Sequence, residues 1–352
     1  MPIEVAAMPM PRQMPLAARR VFRLAATTAL ALAGGYALAL ELPFMAPLFA
    51  FILASKPAPP MGVKGLLGLS LLLVLTLGLG VLLTPVLRYY PMTGLMLVLL
   101  GLFFANYVAL NLGKGPVGTF LTAGIAIIST AGLTSMALAT ALIQAMVFGV
   151  AIGVVSLWLI YPFFPEDGPA PEMPAVAPAQ SSWLAVRATL IVFPAFLLVL
   201  ANTAYLPTVM KAVQLGQQDS VTDAKHAGRE LVGSTFMGGL WAVMFWLGLS
   251  VWPSLWMFTL WMLLVGVYIC ARVYGVVPSR YPPSYWVNTM VTLLILLGPA
   301  VNDSATGKDV MTAFLVRLSL LVAVALYASA AVVLLERWRD RRVARGTRAV
   351  MA

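Results

Sequence analysis

The sequence has one cysteine, Cys270, and one histidine, His226. A single thiol builds no disulfide framework and no Cys-based metal centre. A single imidazole excludes zinc chemistry that rests on several histidines. Charge is scarce as well: 10% of residues are Asp, Glu, Lys or Arg, where a soluble domain runs near about a quarter. Gly113-Lys114 and Gly307-Lys308 are followed by neither Ser nor Thr and lack an upstream glycine, so neither is a phosphate-binding loop. There is no HExxH, GxSxG or DDxxD pattern, and an enzyme embedded here would have to work through His226, with Ser234. No cofactor is expected, and the chain is not read as an enzyme.

What is present is apolar surface. Hydrophobic residues make up 61% of the 352, more than a soluble fold of this size can hide. Charge is missing from 24–40, 65–87, 89–113, 115–165, 188–210, 231–271, 281–302 and 318–335. About 20 apolar residues carry a helix across roughly 30 Å of hydrocarbon. Backbone groups in lipid must be satisfied within the segment, and period-2 alternation is absent, so helices are expected and a barrel is not. The expected fold is all-α: a polytopic transmembrane bundle of about twelve helices. The expected spans are 18–40, 43–54, 62–87, 91–111, 116–131, 134–162, 183–203, 205–217, 222–251, 253–274, 284–300 and 309–336.

Lys and Arg stay on the cytoplasmic side. Arg12, Arg19, Arg20 and Arg23 mark the N-terminus and Arg337, Arg339, Arg341, Arg342, Arg345 and Arg348 the C-terminus. Both ends are therefore expected inside. Twelve crossings place Lys56, Lys64, Lys114, Arg187, Lys211, Lys225, Arg229, Arg272 and Arg280 at cytoplasmic ends and leave Arg88 and Lys308 outside. Ten crossings, with 43–54 and 205–217 dipping in and returning, fit the charges less well. Loop 163–182, with Glu166, Asp167 and Glu172, does not look cytoplasmic, but acidic residues count for little in this rule. The run Arg19-Arg20-Val21-Phe22-Arg23 is read as the anchor of a first helix rather than a twin-arginine signal. The basic tail is read as a juxtamembrane anchor and not as a nucleic-acid site.

The chain reads as if written twice. Arg23 stands before Leu42-Pro43 as Arg187 stands before Leu206-Pro207, at an offset of 164. Lys64-Gly65-Leu66-Leu67-Gly68 matches Arg229-Glu230-Leu231-Val232-Gly233, and Pro91 matches Pro253. The expected organisation is an arm at 1–17, a first repeat at 18–162, a Pro-rich linker at 163–182, a second repeat at 183–336 and a basic tail at 337–352. An even-numbered repeat keeps its orientation, so the symmetry axis runs along the membrane normal. The short segments 43–54 and 205–217, with Pro43 and Pro207, are equivalent in the halves and point to a central substrate path; the plainer alternative is two interfacial helices.

Ionisable residues inside a span are functional candidates by default. Arg317, flanked by Val316 and Leu318, is a fixed positive charge suited to an anion, or else half of an ion pair with Asp303, Asp309 or Glu41. Asp223, His226 and Glu230, spaced i, i+3, i+7, share a helix face and suit a proton relay, or simply charge a helix end. Trp241 and Phe245 are candidates to stack on an aromatic substrate, with packing as the alternative, and Asn202 is a candidate polar contact that equally serves to join helices. Trp252 and Trp256 read as interfacial belt residues, and Gly149 and Gly153 as a GxxxG packing face.

These residues carry a family resemblance. Arg23 with Leu42-Pro43-Phe44 and Pro47 leads to the turn Lys56-Pro57-Ala58-Pro59-Pro60, and Tyr161-Pro162-Phe163-Phe164-Pro165 closes the first half. Leu215-Gly216-Gln217-Gln218, Gly228-Arg229-Glu230-Leu231-Val232-Gly233-Ser234, Gly238-Gly239, Gly307-Lys308-Asp309 and Arg317 follow. Over about 18–336 the chain resembles the fusaric acid resistance / aromatic acid exporter superfamily, in a short branch without the large cytosolic domain. The resemblance implies a bacterial inner-membrane exporter of aromatic carboxylic acids or related toxic organic anions. It also implies proton coupling and a periplasmic adaptor (membrane-fusion) partner. The superfamily is similar to plant malate channels too, so a passive anion channel is the competing expectation. A homo-oligomer is compatible with both, and a membrane scaffold or embedded enzyme is the third reading.

Overall fold

The structure is a computed structural model that describes residues 14–55, 58–111, 115–166, 178–202, 205–216, 224–305 and 309–351. In the first half, α1 (Leu16–Ala37) is followed by a short α2 (Met45–Ala54), α3 (Val63–Tyr89) and α4 (Pro91–Asn111). One rod then combines α5 (Gly115–Ala123), a π turn (Gly124–Ile128) and α6 (Ser129–Thr134), before α7 (Met136–Ile160). The second half runs α8 (Pro178–Ala201), a short α9 (Leu206–Gly216), α10 (Ala224–Val251), α11 (Leu255–Val273), α12 (Pro283–Ala305) and α13 (Val310–Met351). Local chemistry sets the starts. Pro91 and Pro283 open their helices, where a missing N–H costs nothing. Ser135 caps α7 by accepting from the Leu138 N–H at 3.1 Å, and Ser254 caps α11 through Met257 at 3.2 Å.

Among the described residues, nine helices are long and apolar enough to cross a membrane, and this is a multi-pass membrane protein. Burial runs opposite to a soluble fold. Only 22% of the most apolar stretch of α3 is buried, against 78% in α12, which carries Asn288, Thr289 and Thr292. Leu67, Leu71, Leu75 and Leu82 form an exposed stripe along α3. Lipid is the solvent for that stripe, and the polar residues turn inward.

The order long, short, then four long rods occurs twice, and so do the neighbours. The first helix of each half packs on the short one and on the last, as α1 does on α2 and α7, and α8 on α9 and α13. The third rod packs on the fourth, fifth and sixth in both halves. Across the halves α1 packs on α11 and α4 on α8, each being the first rod of one half against the fourth of the other.

At about 1.5 Å per residue, α2 and α9 are each roughly half the hydrocarbon thickness. They nonetheless return the chain to the end where it began. Arg23 meets Glu166 just past α7, Met61 accepts from Trp158 Nε1 at 2.7 Å, and Ser55 accepts from the Tyr274 hydroxyl at 2.9 Å. Trp183 and Arg187 at the start of α8 meet Glu336, Gly233 of α10 lies against Tyr285, and Arg272 lies over Trp286. That end gathers Arg19, Arg20, Arg23, Lys64, Arg187, Arg272, Arg337 and Arg339, while Arg88 is at the other, bonded to the Leu133 carbonyl at 3.0 Å. Trp252, between α10 and α11, and Trp256, in the first turn of α11, are exposed at the end with Arg88.

Glycines decide where rods touch. Gly149 and Gly153 of α7 seat α2 at Met45, Ala46 and Ala50, and Gly34 of α1 meets Ile152. Gly80 of α3 and Gly124 of the π turn cross so closely that a methyl on either would enter the other helix's backbone.

Candidate functional site

Thr208, Lys211, Ala212 and Leu215 lie on one face of α9, and all four are buried. Lys211 is 0% exposed. Its Nζ donates to Asn288 Oδ1 at 2.5 Å and to Thr292 Oγ1 at 2.7 Å. Asn288 and Thr292 are four apart on α12, so one helix turn presents both oxygens to the amine. Asn288 Nδ2 donates to Ser234 Oγ on α10, whose hydroxyl donates to the Glu230 carbonyl. Thr289 Oγ1 donates to the Ser234 carbonyl at 3.3 Å. A short helix is thus joined to α12 and α10 by an amine and a chain of hydroxyl and amide groups. Asn288 lies only five residues into α12 and Thr292 nine, so the amine is about 10 Å inside the bundle from its basic end.

This position corrects the sequence expectation for Lys211. It is not among the cations gathered at the basic end but in the core. A charge-counting rule sees only which loop a lysine adjoins. The usable signal was the 208/211/212/215 face, where one amine stands on an otherwise buried stripe.

The other candidates are dispersed. Arg317 Nη1 lies 2.5 Å from Asp303 Oδ2, an ion pair between α13 and α12. The Asp303 carboxylate holds the place on Arg317 that a substrate carboxylate would take. Trp241 is half-buried, with its ring 4.8 Å from that of Tyr268. Phe245 is buried edge-on to Phe258 at 5.6 Å, and Phe258 meets Tyr36 at 5.0 Å, so the trio seals α10 and α11 against α1. Pro43 is buried in the α1–α2 turn with its carbonyl against Gly35. Asn202 is exposed after α8, its N–H on the Leu198 carbonyl at 3.2 Å. Pro207 sits in the first turn of α9, and its side chain lies outside the described residues. So do Asp223 and the side chain of His226. Glu230 is half-buried, and its carbonyl ends the Lys211 chain. Among the described residues no three His, Cys, Asp or Glu side chains cluster as a metal site requires.

Residues 20–160 match the model of a family described as a protein of unknown function, DUF2955. The match opens inside α1 and closes on the last residue of α7, so it covers the first six rods. No curated protein and no solved structure matches the chain.

Proposed function

We propose that the protein is a secondary exporter of organic anions in a bacterial inner membrane, with aromatic carboxylic acids as the substrate class. The observation that carries this reading is Lys211, an amine wholly buried in a membrane bundle and held by Asn288 and Thr292. Ionisable groups there are expensive and mark pathways. It stands on one of two short helices at matching places in the two halves, where transporter sites tend to form. A site sealed this completely must be uncovered by movement, which favours a carrier over an open anion channel. The basic end faces the cytoplasm under the positive-inside rule, with both termini there. His226 and Glu230 stand in the first two turns of α10 at that end and, with Asp223, are the proposed proton relay. A periplasmic adaptor would dock on the opposite end.

The test is flux of aromatic acids through vesicles holding the full chain. Lys211→Met is expected to slow flux about tenfold to hundredfold, the value of one charge-assisted contact. Asn288→Asp keeps the shape of the site and places a carboxylate on the amine, so it is expected to block anions in a protein that still folds. Normal flux in either variant would sink the reading.

A further inference from the structure

Between α8, α9 and α13 lies a cavity of 460 Å³, lined by residues that include Pro194, Leu198, Tyr205, Thr208, Val324 and Tyr327. Its surface is almost all carbon. The Thr208 hydroxyl is turned to the Tyr205 carbonyl at 2.5 Å and the Tyr327 hydroxyl to the Leu190 carbonyl at 2.6 Å. Leu197, Leu198 and Tyr327 of its lining are themselves exposed, on two helices apolar enough to span a membrane, so the groove is read as open to hydrocarbon.

The fold does not require this gap. In the first half the matching helices α1, α2 and α7 close on one another through Gly34, Gly149 and Gly153. The second half has Leu198 where an offset of 164 from Gly34 falls, and there the helices part. The gap opens beside the short helix that bears the amine. Thr208 lines it, and Lys211 is one turn farther along the same buried face, a rise of about 4.5 Å.

We propose that this groove takes the apolar body of an amphiphilic organic anion drawn sideways from the bilayer, while the acidic group goes to Lys211. The volume lies within the roughly 300–1,000 Å³ of small-molecule sites. The proposal rests on the anion reading above and adds to it a route and a shape of substrate.

The test uses the full chain in vesicles and a series of phenylalkanesulfonates, from benzenesulfonate to 6-phenylhexanesulfonate, whose permanent charge prevents passive leak. In the native protein the apparent affinity is expected to rise about fourfold per methylene until the groove is full. Ala323→Trp, which fills the groove from α13, is expected to flatten that slope, and Leu320→Trp repeats the test from another position on the same helix. Benzenesulfonate is the reference within each variant. An unchanged slope in either folded variant overturns the proposal. So does an equal loss for every chain length together with loss of a tightly held phospholipid, which would make the groove a structural lipid site. A flat slope in the native protein with flux still slowed by Lys211→Met removes the groove and leaves the anion reading. Unchanged benzenesulfonate flux in Lys211→Met removes the anion reading itself.

Discussion

Breaking the ion pair around Glu166 should produce unequal losses from its two sides. Arg23 Nη2 lies 2.6 Å from Glu166 Oε2, and both side chains are nearly inaccessible, at 1% and 3%. Arg20 Nε also donates to Glu166 Oε1 at 2.7 Å, but the Arg20 side chain is 25% exposed. Arg23 has one further acceptor, the Phe164 carbonyl at 3.3 Å. Glu166→Gln therefore strands a buried guanidinium with little more than one long hydrogen bond. Removing one partner of a buried pair costs about 3–5 kcal/mol, and the low end, about 3 kcal/mol, applies at a partly wet end of the bundle. Arg23→Met leaves Glu166 with Arg20 and should cost about half as much. Thermal unfolding in detergent measures both, and the double variant gives the coupling. Burial works against the charge on Glu166, yet hydrogen bonds from Arg20 and Arg23 and their positive charge outweigh it, holding its carboxyl below the usual range. A depressed carboxyl stabilises fully above the unfolded value, near about 4.3, and the gain is lost as pH falls through the folded value. Glu166→Gln should abolish that acid step. Losses equal from both sides, or an acid step that survives in Glu166→Gln, would refute the reasoning.

Two further outcomes are expected. Gly80→Ala should destabilise by about 1–3 kcal/mol through overpacking on Gly124, while Gly68→Ala, which has open space, should not; paired thermal melts compare them. Asp303→Asn should free Arg317 for an external anion, seen as benzenesulfonate protection of Arg317 from phenylglyoxal that the native pair does not show.

The rods were legible in the sequence because charge-free windows and bilayer thickness leave few choices. The observed helices fall on the expected spans to within about five residues, except that α13 runs on to Met351 past the expected end at 336; the π turn at Gly124–Ile128 left no mark in composition. A local rule also read the Gly149/Gly153 packing face. The site was much less legible. Arg317 stood out because it interrupts a long apolar run, yet its partner Asp303 is on the neighbouring rod, and only packing reveals it. Phe245 and Trp241 looked available because aromatic residues look alike in sequence whether they line a path or seal one. Lys211 needed Asn288, Thr292 and Ser234 from two other rods, and no local pattern brings those together.

The π turn and the Lys211 cradle also have a common address. At the offset of 164 that aligns Arg23 with Arg187, Gly124–Ile128 falls on Asn288–Thr292. One copy of the fifth rod loosens its winding at that level and the other lines it with hydroxyl and amide groups. One extra residue in a regular α-helix would turn everything beyond it by about 100°, and the wider π turn takes that rotation up. Deleting one residue between 124 and 128 would therefore return the rod to plain α-helix and leave Gly132 facing Thr84, which it now meets. The two fifth rods thus depart from a plain apolar α-helix at one level, in backbone on one side and in side chains on the other.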